Sequence, residues 1–384
     1  MKLRTLVLVV TILAVLSGAV ALRNRPPAAP AADARVGQPL VATELVEKAT
    51  VIRLADAGKT VELKKSAEGG WRVASYFDFP ADLAKLAGFA GDLTEAKISR
   101  LVTTSPAAIS RLEFKDTRVQ LLDAAGQPLL DLALGKNADS GGGRFVRLAA
   151  EEKAYLASLN SFLDSDSKNW ADTLLLQLKS EDIAKIELSF PADTATPPRA
   201  ETTVTVTRAK KEEPFVAEHP PAGQQLKASA FTTVLSNLTS LRYTDTAATD
   251  DPAVAAAKVA SRSVRLTTFD GKTIALTLGR KPEEKKPRPV AVPGSVAQPA
   301  PSPSASTATK EGESPAKPAE PEFDVIPAGP VFVTITHSDA PAPVNALMAK
   351  RAFQIADFIL TAFPQTPEEI FEPLPAPAAT VPAK

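Results

Sequence analysis

The side chains able to do chemistry are few and thinly spread. Histidine occurs twice in 384 residues, at His219 and His337, and cysteine does not occur. His219 precedes Pro220-Pro221, a loop composition, and His337 closes an apolar run beside Ser338-Asp339. A nucleophilic triad on His337 fails twice over: the chain has no G-x-S-x-G elbow, and adjacent residues of an extended segment point to opposite sides. A two-histidine metal centre would need a third ligand at suitable spacing, for which no candidate exists. Without cysteine there is no disulfide framework, thiolate nucleophile or cysteine-type zinc site.

The remaining candidates are carboxylates, glycines and tryptophans. Asp164-Ser-Asp166-Ser-Lys168 has the carboxylate spacing of a loop that wraps calcium in oxygens, but the required glycine and terminal glutamate are missing and Lys168 stands where a ligand belongs. A solvated turn is expected there. Gly141-Gly142-Gly143 leads into a strand and so lacks the aligned amides of a helix N-terminus that hold phosphate; it reads as a hairpin loop. Asp78, Glu113 and Asp172 are ordinary choices for a hydrolytic carboxylate pair, whose separation is a spatial fact that spacing does not give. Trp71 and Trp170 have flat rings that suit a sugar face, and the same rings suit a core. No catalytic, cofactor-binding or metal-binding residue is assigned, no cofactor is implied, and the chain is expected not to be an enzyme.

The elements that would position these residues begin with an anchor. Thr5 to Leu22 is apolar or small throughout, uncharged, and preceded by Lys2 and Arg4. Its length matches the roughly 18–20 residues of a membrane-spanning helix, and the leading charges would stay on the cytoplasmic side. Ala19 and Ala21 also form an A-x-A site, so a cleaved signal peptide is the competing reading. Either way the body lies outside the cytoplasm, and residues 23–48, rich in Pro and Ala, read as a spacer. Lys plus Arg and Asp plus Glu both number 44, so no net charge attracts a polyanion and nucleic acid is not an expected partner.

The body reads as α+β. Val51–Leu54, Val61–Leu63 and Trp71–Val73 suggest a small antiparallel meander with a turn at Ala57-Gly58, and Leu83, Leu86, Phe89 and Leu93 share one face of a helix opened by Pro80 and Asp82. Val119–Asp123, Leu129–Leu134 and Arg144–Leu148 alternate as further strands, and Ala154–Leu156 adds another. A second copy follows. Val119 to Gly126 aligns with Val264 to Gly271, Leu132-Ala-Leu-Gly135-Lys136 with Leu276-Thr-Leu-Gly279-Arg280, Ile183–Leu188 with the first strand, Pro214–Val216 with Trp71–Val73, and the Phe231, Val234, Leu235, Leu238 stripe with the Leu83 helix. The expected halves are 49–175 and 176–362. Residues 281–321, packed with Pro, Ala, Ser, Lys and Glu, read as a disordered insertion at a hairpin tip, where added chain has a small entropic penalty. Val331–Ile335 is its return strand, Leu347 to Ile359 a terminal helix, and 363–384 a disordered tail.

This pattern resembles a bacterial family known as domain-of-unknown-function family 4340. The resemblance rests on the N-terminal apolar run, Trp71-Arg72-Val73 followed by Pro80 and the Leu83 helix, Leu132 to Gly135, Phe145-Val-Arg147, and Trp170-x-Asp172 before Leu174-Leu175, and covers about Ala49 to Leu360. In place of the Gly-Leu step frequent in the family after the first helix, this chain has Ala107-Ala108-Ile109. The resemblance implies a single-pass inner-membrane protein with a periplasmic body, associated with transporter-type or gliding-motility-type complexes, and implies no catalytic residues. An accessory or scaffolding role in such a complex is the expectation. A module binding cell-wall glycan or peptide is the alternative, and an envelope hydrolase a third.

Overall fold

The structure, a computed structural model, describes residues 33–139, 141–149, 151–159, 163–192, 200–287 and 323–374. The spanning segment expected at residues 5–22 lies outside them, and no helix among the described residues is long and apolar enough to cross a membrane. The chain forms two compact units, one ending at Asp172 and one beginning at Thr173.

The first unit contains α1 (Thr43–Lys48), β1 (Val51–Asp56), β2 (Lys59–Lys65), β3 (Trp71–Val73), β4 (Phe79–Pro80), α2 (Leu83–Glu95), β5 (Ile98–Thr103), α3 (Pro106–Ile109) with a 3-10 turn Ser110–Leu112, β6 (Arg118–Leu122), β7 (Pro128–Asn137), β8 (Arg144–Leu148) and β9 (Ala154–Ala157). Its strands form one antiparallel sheet in the order β4-β3-β2-β1-β6-β7-β8-β9-β5. Ala57 and Gly58 both have positive φ (49° and 79°), the conformation whose twist matches a two-residue hairpin. Alternation aligns the apolar residues across the sheet: Val61 faces Leu54, Leu54 faces Val119, and Val119 faces Leu132, all buried. The α2 helix starts where Asp82 accepts a hydrogen bond from the Lys85 N–H (3.0 Å) and buries Leu86, Phe89 and Leu93.

The second unit contains β10 (Leu174–Gln177), β11 (Ile183–Phe190), β12 (Thr202–Thr207), β13 (Val216–Ala217), β14 (Gln224–Leu226), α4 (Ala228–Thr239), β15 (Ser240–Ala247), α5 (Pro252–Val259), β16 (Ser261–Thr268), β17 (Thr273–Arg280), β18 (Glu284–Pro287), β19 (Phe323–Ile326), β20 (Val331–His337), α6 (Pro343–Lys350), β21 (Ala352–Ile355), α7 (Asp357–Thr361) and β22 (Phe371–Pro373). Its main sheet runs β10-β15-β21-β20-β17-β16-β11-β12-β13. Read from the β13 end, eight strands repeat the first unit's series from β3 to β5, one for one. The buried row repeats too: Val204 faces Leu188, Leu188 faces Val264, and Val264 faces Leu276. The two large sheets fit tandem halves of the same α+β plan.

Four expectations need correction. The spacer is not free throughout: in residues 33–48, Leu40 and Val41 are buried, the Gly37 N–H donates to the Ile98 carbonyl, and Pro39 bridges Lys97. The disorder expected from Lys281 begins with a strand, because β18 pairs with β19 from Glu284↔Ile326 to Pro287↔Phe323; residues 288–322 lie outside the described ones. The terminal helix over Leu347 to Ile359 is two helices split by β21, whose Phe353 and Ile355 face inward in strand alternation. The tail is folded as far as Leu374, since β22 pairs with β14 and Phe363 and Ile370 are buried. In each case pairing with a distant strand or burial against the core overrides local composition.

The N-terminal segment is tied down by a polar knot. Lys153 Nζ donates to Asp33 Oδ2 (2.8 Å), the Tyr155 hydroxyl donates to Glu151 Oε2 (2.8 Å), and Arg35 pairs with Glu151. The Lys153 ammonium and the Arg35 N–H hold the Asp33 carboxyl below its ordinary range, Asp33 raises Lys153, and burial followed by the Glu151 carboxylate pushes Tyr155 up. Lys153→Met should therefore speed amide exchange across residues 33–40 several-fold at pH 7 and leave α2 unchanged. Equal protection of residues 33–40 in both proteins would refute the tie.

Candidate functional site

Trp170 lies two residues before the end of the first unit and is buried (2% exposed). Its indole Nε1–H donates to the Asp164 carbonyl (2.8 Å), its ring meets Phe89 edge-on at 5.5 Å, and Lys85 Nζ lies 4.8 Å from the ring centroid. Trp71 lies half-buried on β3, opposite Lys65. The two tryptophans do not form an exposed stacking platform, because Trp170 is a core residue.

The Asp164–Lys168 segment is a turn built around Lys85. Asp164 Oδ2 accepts from Lys85 Nζ (2.6 Å), and Asp164 Oδ1 from the Asp166 N–H (3.0 Å) and Asn169 Nδ2 (3.3 Å). Asp166 caps the following 3-10 turn through the Lys168 N–H (3.1 Å). These carboxylates serve backbone and lysine donors. Burial by itself would raise the Asp164 carboxyl, but Lys85 and the Asp166 N–H outweigh it and hold the group below its ordinary value of 3.8. A carboxyl with a lowered folded-state pKa contributes stability fully above the unfolded value, and that contribution fades as pH falls through the folded one. Acid titration below about pH 4 should loosen the first unit, and Asp164→Asn should shrink this pH dependence while lowering stability at pH 7. An unchanged acid limb in the variant would remove the assignment.

The other candidates stay apart. His219 is exposed in a loop. His337 is half-buried at the end of β20; its Nδ1 accepts from the Asp339 N–H (3.0 Å), while Asn345 Oδ1 accepts from the His337 N–H (2.9 Å) and Asn345 Nδ2 donates to the Asp339 carbonyl (3.0 Å). Nδ1 as acceptor fixes the tautomer with its proton on Nε2. Asp78 pairs with Arg72 (3.2 Å), Glu113 with Lys115 (3.7 Å), and the Asp172 N–H bonds the Pro80 carbonyl (2.8 Å). Gly141 and Gly143 take positive φ, 69° and 120°, in the β7–β8 hairpin loop. Among the described residues no three His, Asp or Glu are arranged to hold a metal ion.

What the fold does bring together is a pair of clefts in corresponding places. In each unit a cleft opens where the segment before the first strand of the repeat meets the start of β7 or β17 and the end of β8 or β20. In the first unit it measures about 630 Å3 and is walled by Leu40, Leu45, Leu129, Leu130 and Leu148 together with Arg35, Asp131 and Glu151. In the second it measures about 670 Å3 and carries Lys179, Lys211, Lys272 and His337 against Asp182 and Asp270. Lys211 pairs with Asp182 (2.5 Å) and Lys272 with Asp270 (3.5 Å). One plan therefore carries two differently lined surfaces, leucine-rich with the Arg35–Glu151 pair in one unit and lysine-rich in the other.

Sequence reasoning overlooked Glu151, Lys153 and Tyr155, of which only Tyr155 lies on a strand, β9, while Glu151 and Lys153 stand in the segment just before it. It also overlooked Arg147, quoted only as part of a motif. The Lys179, Lys211 and Lys272 grouping had no sequence signal, since its members come from separate segments.

Residues 71–259, from β3 of the first unit to α5 of the second, match the family described as Domain of unknown function (DUF4340). No curated protein and no solved structure matches the chain.

Proposed function

We propose that this chain, whose residues 71–259 match the DUF4340 family, is a non-catalytic accessory or scaffolding protein of an inner-membrane complex of the transporter or motility type. On this reading residues 5–22 anchor it in the lipid bilayer, and the two units stand in the periplasm as a binding surface. The observation that carries the reading is the repeated sheet with differently lined clefts at equivalent places, a plan suited to holding two different partner surfaces. The side chains with the best claim to chemistry support it as well, because Asp164, Asp166 and His337 are engaged in shaping turns. With the knot at Asp33 fixing the start of the body, only residues 23–32 link it to the anchor. Ten residues reach no further than about 36 Å, so on this reading the start of the first unit at Asp33 lies within that distance of the membrane.

Purification of the full chain from detergent-solubilised membranes should recover integral-membrane proteins in fixed proportion, and charge reversal at Lys179, Lys211 and Lys272 together should release them. Recovery of the chain alone under mild detergent would defeat the proposal. A second reading, a module that binds cell-wall glycan or peptide, is favoured by the half-exposed ring of Trp71. It requires retention on isolated peptidoglycan that Trp71→Ala weakens.

A further inference from the structure

The two repeats differ in how the sheet is covered, most directly over β7 and β17. In the second unit the eight-residue α5 lies over β17, where Val254 and Ala257 pack with Phe332 and Ala247 in a closed apolar cluster. The corresponding stretch of the first unit is the four-residue α3 and its 3-10 turn, whose Ile109 and Leu112 pack with Ala154, Phe114 and Phe145. The shorter cover leaves a cavity of about 480 Å3 walled on its apolar side by Pro106, Ile109 and Phe114. That volume lies within the range of about 300–1,000 Å3 typical of small-ligand sites.

The floor of this cavity carries Arg147. Pairing register puts Arg147 opposite Ala133 on β7, and the same position of the second unit, opposite Thr277 on β17, is Thr334. The cation is thus specific to the first unit. Its guanidinium lies over Phe114, 5.6 Å from the ring centroid, and its Nε is buried without a hydrogen-bond partner. The Nε is enclosed by protein, but the side chain lines the cavity, where its guanidinium can pair with a carboxylate through a charge-assisted bond. Three other charges line the cavity. Lys115 and Glu113 offset each other at 3.7 Å, and Glu152 is exposed at the rim.

We propose that this cavity binds the C-terminal carboxylate of a peptide ending in small apolar residues, with the carboxylate on Arg147, the side chains against Ile109, Phe114 and Pro106, and the backbone N–H groups toward the Glu113 and Glu152 carboxylates. Those rim acceptors are what separate a peptide from a fatty acid, whose acyl chain offers them no donor. The proposal is independent of the scaffolding role, since partner recovery and peptide binding are measured separately.

Calorimetric titration of the full chain in detergent micelles with N-acetyl-alanyl-alanine, its C-terminal amide, and octanoate tests it without altering the protein. Saturable heat with the free acid and none with the amide is expected. Equal binding of acid and amide, binding of octanoate alone, or no binding of any of the three overturns the proposal. Arg147→Thr, which installs the second unit's residue, should weaken the free acid roughly tenfold or more, with circular dichroism reporting that the fold is kept. Should that variant not fold, Arg147→Lys, which keeps the charge and removes the planar fork, is expected to weaken the acid, and an unchanged affinity there counts against the assigned pose.

Discussion

Replacing Gly279 with alanine should destabilise the second unit by about 3 kcal/mol, the upper part of the range for forcing a methyl group into packed structure. The cause is space and not backbone conformation. A Cβ on Gly279 would run into the Ala257 carbonyl oxygen and sit 3.1 Å from the Ala257 carbonyl carbon and 3.0 Å from Ser261 Cβ. Two of those three atoms are backbone at the end of α5, so no side chain can swing aside. The helix would have to lift from β17. Gly135 stands at the same place in the first unit, where a Cβ would meet the Leu112 carbonyl oxygen at 2.5 Å and Phe145 Cβ at 3.3 Å. Gly135→Ala should therefore carry a comparable penalty in its own unit. Urea unfolding read by amide exchange, which assigns the loss to one unit's strands, makes the comparison. A loss below about 0.5 kcal/mol, the ordinary scatter of surface changes, at both sites would mean that the close approach of cover and strand is not what these glycines serve.

Trp170→Ala should destabilise the first unit by about 3–5 kcal/mol, the usual range for truncating a large buried aromatic. The substitution opens a cavity beside Phe89, strips the Asp164 carbonyl of its indole donor, and removes the ring under Lys85. Trp170→Phe should lie in between, since it retains an aromatic partner for Phe89 and loses the N–H. The same variants separate a core role from a sugar-stacking one. A Trp170→Ala protein of unchanged stability that had lost glycan binding would reverse the assignment, whereas loss of stability with glycan retention unaffected at temperatures where the protein stays folded supports it.

The sequence by itself determined the repeat. Val119, Leu132, Val264 and Leu276 sit on matching strands because strand alternation and turn residues are local properties, written within a few residues of each other. The same locality made the Leu83 helix legible through Asp82 and the Leu86, Phe89, Leu93 stripe. Turn glycines are readable for that reason as well, as Gly58 beside Ala57 illustrates.

Tertiary structure alone decided the rest. β5 and β15, each following a long helix, occupy equivalent positions far from the β3 and β13 ends of their sheets, and no short-range pattern states which strand they will join. Ala352–Ile355 became a strand inside an expected helix because β15 and β20 flank it with unpaired backbone groups. The folding of residues 33–48 depends on Lys97, Lys153 and Tyr155, which lie dozens of residues downstream. Both clefts and the Arg147 cavity are made where separate segments meet. Short-range dihedral and hydrophobic preferences fix elements before they are assembled, while a cavity is a relation between assembled elements and exists only once chain entropy has been overcome by their packing.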